Sequence, residues 1–109
     1  MKFKIKINGN TSLDDIRLEL EALKSANVTE IPLNHLFKIT EFLGAVQVTS
    51  TGSIIRFEHP LLRKHPNYHG YFTVHKIHKG GDNDLIKKID YKTYLYPALL
   101  AIIDLKSKK

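Results

Sequence analysis

Between Val46 and His78 the apolar residues of this chain alternate with polar ones, and on either side of that stretch they recur at helical spacing. This switch of period restricts the fold more than any other feature. Three short strands must pair with one another, and the flanking helices must cover one face of the sheet they form. The helix before them starts at Pro32, a residue suited to a first turn. Leu33, Leu36, Phe37, Ile39 and Leu43 supply its apolar side, and Gly44 is placed to end it. The strands begin at Val46, at Ile54 after the turn Ser50-Thr51-Gly52, and at Tyr71. The second stops at Pro60, and the third runs to His78. A last helix spans Tyr91 to Leu105, with Asp90 near its start and a Pro97 that must kink it or mark its true first turn. The expectation is an α+β fold: a three-stranded antiparallel sheet with helices on one face, in the order α-β-β-β-α.

An N-terminal β-α extension precedes this order. Phe3, Ile5 and Ile7 alternate with Lys2, Lys4 and Lys6, as in a strand with one wet face. Ser12 and Asp15 are spaced as a capping box, which predicts a helix from Leu13 that ends near Asn27. Its apolar face carries Leu13, Ile16, Leu20 and Leu23. Those side chains need a surface to bury against, so residues 1–31 are read as part of one domain with residues 32–109. The N-terminal strand is also suited to pair with a sheet edge, its own or that of a second copy, which would make the chain a homo-oligomer.

Composition narrows the partners. There is no cysteine, which excludes disulfides and thiolate metal sites and fits a reducing, cytoplasmic setting. No apolar run approaches the roughly 18 residues of a membrane span, and the alternating start does not read as a secretory signal. Lysine and arginine exceed aspartate and glutamate by 17 to 11, a net charge of +6, which favours an anionic partner such as RNA. Much of the excess sits at the two ends, where it also serves solubility. Five of the six histidines, His59, His65, His69, His75 and His78, fall within a short span. Their spacing is not the tight, helix-borne pattern of a cysteine-free zinc site, and neither a metal nor another cofactor is expected. Gly80-Gly81 is a turn without the further residues of a phosphate-binding loop.

The segment Gly52-Ser53-Ile54-Ile55-Arg56-Phe57-Glu58-His59-Pro60 resembles the second strand of the HicA family of mRNA-cleaving toxins, with its two central histidines replaced by isoleucine. Gly52-Ser53, Phe57 and His59-Pro60 match the family pattern. Ile77-His78-Lys79-Gly80 is similar to the end of the family's third strand, and Leu85-Ile86-Lys87-Lys88-Ile89 to its lysine-rich approach to the last helix. The likeness covers roughly residues 33 to 105. It implies a double-stranded-RNA-binding-like fold, action on RNA, and a HicB-like antitoxin that covers the active face. Ile54 stands where the family has its catalytic histidine, and the first 30 residues have no counterpart.

Metal-independent RNA cleavage needs a base for the 2′-hydroxyl, an acid for the leaving 5′-oxygen, and a cation for the phosphorane. Isoleucine supplies none of these. Alternation places Ile55, Phe57, Phe72 and Val74 toward the helices. It leaves Ile54, Arg56, Glu58, Tyr71, Thr73 and His75 on the open face. A bulge near His75-Lys76 would return Ile77 to the core and put His78 outside as well. His75 and His78 are therefore the candidate acid–base pair, and Arg56, Arg63, Lys64, Lys76 and Lys79 the candidate RNA contacts. The same face without catalysis would serve as an RNA-binding or protein-interaction module.

Overall fold

In the computed structural model the described residues are 7–51, 53–77 and 84–107. The strand read at Lys2–Ile7 lies outside them except for Ile7, which is in coil, and His78 and Lys79 lie outside them as well. The elements are α1 (Leu13–Ser25), β1 (Glu30–Pro32), α2 (Leu33–Leu43), β2 (Val46–Thr51), β3 (Ile54–Glu58), a 3₁₀ helix (Pro60–Lys64), β4 (Tyr71–His75) and β5 (Leu85–Lys87). A final helical rod follows in three parts: α3 (Lys88–Asp90), a π-helical turn (Tyr91–Leu95) and α4 (Tyr96–Ser107). The protein is α+β, as the change of period predicts.

Helix starts and stops follow the local chemistry. The Ser12 hydroxyl accepts from the Asp15 amide, and the Asp15 carboxylate accepts from the Ser12 amide, which completes the capping box. Gly44 ends α2 in the left-handed region at φ 87°, its amide donating back to the last carbonyls of the helix. The last helix starts earlier than predicted, at Lys88. Pro97 does not break the rod; it stands in the first turn of α4, one of the two places the sequence allowed it. The wider π-helical turn ahead of Pro97 takes up the strain that its ring and missing N–H would otherwise impose.

β2, β3 and β4 form an antiparallel sheet with β3 in the centre. Ile55, Phe57, Phe72 and Val74 face the helices and are buried, with Phe57 stacked on Phe72 and tilted against Phe37. Leu36, Ile39, Leu43, Tyr91, Leu95 and Leu99 lie in the same core. β4 departs from expectation at its end. Pairing with β3 continues without a bulge through Lys76, whose amide donates to the Ser53 carbonyl, and Ile77 bridges Leu85. Ile77 is thus half-buried beside a second, two-stranded sheet, β1 against β5, and is not returned to the core.

Helix α1 is not an appendage. Ile16, Leu20 and Leu23 are buried in the shared core, and the Tyr91 hydroxyl donates to the Leu20 carbonyl at 2.8 Å. Burial pushes the Tyr91 hydroxyl far above its ordinary pKa, so it remains a donor. The polar side of α1 also faces α4: Arg17 pairs with Asp104 at 2.9 Å, and the Tyr96 hydroxyl donates to Glu21. One acidic residue breaks the pattern. Glu19 is 2% exposed and meets His35 of α2 at 3.4 Å.

Candidate functional site

The face of the three-stranded sheet opposite the helices carries the side chains that alternation assigned to it. Directly opposite pairs are Ile54 with His75, Arg56 with Thr73, and Glu58 with Tyr71. Val46 joins the row beside Glu58. The surface they form is exposed, with Ile54 at 41% and Tyr71 at 42%.

Arg56 is the centre of this surface. Its guanidinium lies 3.9 Å from the centroid of the Tyr71 ring, and one terminal nitrogen is 3.2 Å from Glu58. Cross-strand geometry explains both contacts. Tyr71 is the diagonal neighbour of Arg56 on the next strand, and Glu58 is its same-face neighbour on its own. The Arg56 Nε is buried and has no hydrogen-bond acceptor among the described residues. The guanidinium is therefore held over an aromatic ring with only part of its donor capacity used, a form suited to a planar or anionic ligand.

His75 ends β4, exposed and diagonal to Arg56. It is the one histidine borne on a strand of this face among the described residues. His78, its intended partner, lies outside them. Arg63 and Lys64 are exposed on the 3₁₀ helix, and Arg63 packs its stem against Gly70 at the start of β4. Arg63 borders a groove of about 270 Å3 that also includes Val46 and Glu58. Lys76 is placed differently. Its ammonium is 3.0 Å from Asp84, and both side chains are largely buried, so this lysine ties β4 to the start of β5. Lys79 lies outside the described residues.

The remaining histidines of the cluster have local tasks. His59 is buried: one ring nitrogen meets the Leu43 carbonyl at 2.7 Å, and Nδ1 accepts from the Leu61 amide at 3.1 Å. That pattern requires a neutral ring with the proton on Nε2, and burial holds its pKa below the ordinary value against the pull of the carbonyl. His59-Pro60 thus fastens the end of α2 to the end of β3 and starts the 3₁₀ helix. His65 Nδ1 accepts from the Asn67 amide and its ring tilts against Tyr68. Among the described residues no group of three or more histidines and acids is arranged to hold a metal ion, and no helix is long and apolar enough to cross a membrane.

Sequence reasoning put Tyr71 on the open face, at the end of a loop whose cations and aromatics can hold phosphates and stack bases, but did not pair it with Arg56. Its pairing with Arg56 was hidden because alternation reports facing, while the diagonal contact depends on register. Comparisons with family models, with curated proteins and with solved structures found no match.

Proposed function

We propose that the chain acts on RNA through the open face of β2-β3-β4, as the toxin-type member of a HicA-like pair working in the cytoplasm. The observation that carries this reading is Arg56 lying over the Tyr71 ring at the centre of an exposed sheet face. An aromatic ring and a guanidinium side by side offer a base a stacking surface and a phosphate a bidentate cation. Arg63 and Lys64 extend the positive surface along the rim, and the net charge of +6 draws an anion toward it. A HicB-like antitoxin covering this face would block it. If the chain cleaves RNA, His75 is the residue that takes the 2′-hydroxyl proton or protonates the leaving 5′-oxygen, with Arg56 beside the phosphorus.

A second reading, binding without cleavage, is favoured by Ile54. It sits opposite His75, exposed and apolar, at the position the resemblance assigns to the catalytic histidine. One experiment separates the two. A labelled single-stranded RNA is titrated with the wild-type chain and with Arg56→Ala and Tyr71→Ala, and each mixture is also run on a denaturing gel. Retained binding that falls by about 1–3 kcal/mol in either variant supports the RNA face. Cleavage by the wild type that disappears in His75→Ala supports the enzyme, and intact RNA throughout supports the binding module. No binding at low salt overturns both.

A further inference from the structure

The three-stranded sheet has two outer edges, and they are not alike. On β2 the register slips between Gln47 and Ser50. Such a bulge twists an edge strand out of line for further pairing. β4 pairs with β3 through five successive positions without a slip. Its sequence, Tyr-Phe-Thr-Val-His, contains no lysine, proline or glycine, residues with which native sheets blunt or interrupt an edge.

Hydrogen-bond parity shows which groups of β4 face outward. The His59 amide donates to the Gly70 carbonyl, and the Lys76 amide to the Ser53 carbonyl. Phe72 and Val74 share that parity, so their main-chain groups face β3. Tyr71, Thr73, His75 and Ile77 direct theirs away. At the two ends these groups are used: the Tyr71 amide donates to the Tyr68 carbonyl, and Ile77 exchanges both bonds with Leu85. Between them the amides and carbonyls of Thr73 and His75 have no strand partner among the described residues. Beside this edge runs a groove of about 250 Å3 lined by Tyr68, Tyr71, Thr73, Thr93 and Tyr94. Tyr94 projects from the π-helical turn and is 52% exposed.

We propose that this edge is the docking site for an extended, acidic segment of a partner protein. The segment adds as a further strand beside Thr73 and His75 and sets one side chain into the groove against Tyr94. Its acidity follows from charge: Arg56 lies over Tyr71 beside the edge, and the chain as a whole carries +6. A second copy would bring the same positive charge to the contact. RNA has no row of amides and carbonyls to match. The proposal concerns the edge of the sheet and stands apart from whether the open face handles RNA.

The test uses the full chain labelled with nitrogen-15 and a blocked synthetic peptide of about eight residues, alternating glutamate with valine and threonine. A control peptide replaces every glutamate with lysine. The expected result is a shift of the Thr73 and His75 amide signals, with their hydrogen exchange slowed about tenfold at saturation. Tyr94→Ala, an exposed position that leaves the core intact, weakens binding about tenfold. Thr73→Pro removes only an outward N–H and abolishes the effect at His75. Unshifted Thr73 and His75 amides, equal binding of the lysine peptide, or unchanged affinity in Tyr94→Ala would each overturn the proposal. So would protection of these amides in the free chain together with a dimer in sedimentation, since the occupant would then be a second copy.

Discussion

At the scale of single residues, two histidines that the sequence groups together have opposite lives. His75 stands in solvent, and His59 is buried with both ring nitrogens engaged. Removing the His59 ring leaves the Leu43 carbonyl and the Leu61 amide without partners and opens space beside Gly44. His59→Ala should therefore cost about 2–3 kcal/mol in urea unfolding, while His75→Ala should change stability by less than about 0.5 kcal/mol. The pH dependence follows from the same contacts. Burial lowers the pKa of His59, and likewise that of His35 despite the opposing pull of Glu19. The folded state therefore binds fewer protons than the unfolded chain near pH 6. The stabilisation is complete above the ordinary histidine value of about 6.5 and is lost as pH falls below it. Unfolding midpoints measured from about pH 7.5 down to 5.5 should fall, and fall less in His59→Gln. Facing was legible at this scale, because Ile54 through Glu58 and Tyr71 through His75 alternate without interruption. The role of His59 was not, since the motif that made it look chemical also makes a cap.

At the scale of elements, the strongest dependence is on α1. Ile16 is fully buried in the core that the sheet and the last helix share, so Ile16→Ala should destabilise the whole fold by about 2–5 kcal/mol. A single cooperative transition in that variant is the expected readout; a separate early transition confined to α1 would mean that the helix is dispensable. Pro97 gives a second prediction. In an ordinary helix interior, replacing proline relieves about 3 kcal/mol, but the π-helical turn already accommodates the ring, so Pro97→Ala should change stability by less than about 1 kcal/mol. The capping box and the glycine stop of α2 were legible because each is a local side-chain signal. β1 and β5 were not. Three residues are too few to display a period, and Pro32 reads as a helix start while it also pairs across from Leu85. The true start of the last helix was missed for the same reason: the lysines around Ile89 conceal any apolar stripe.

At the scale of the whole molecule, charge is the property that reaches furthest. If Arg56, Arg63 and Lys64 each neutralise one RNA phosphate, the logarithm of affinity should fall with the logarithm of salt at a slope of about −2. Replacing both Arg63 and Lys64 with alanine should reduce that slope by more than half, whereas Lys76→Ala, whose ammonium is committed to Asp84, should leave it unchanged and lower stability instead. The architecture itself followed from the alternation between helical and strand periods, and the open face followed from the architecture. What the face binds depends on register and on diagonal contacts, which pattern alone does not encode.

The contacts between α1 and the last helix join residues far apart in sequence, Leu20 with Tyr91 and Arg17 with Asp104. During synthesis α1 leaves the ribosome long before the helix it packs against. Its apolar stripe of Ile16, Leu20 and Leu23 must wait, incompletely covered, until the last helix has been made. The shared core therefore closes late, and among the described elements α1 is the one left uncovered longest.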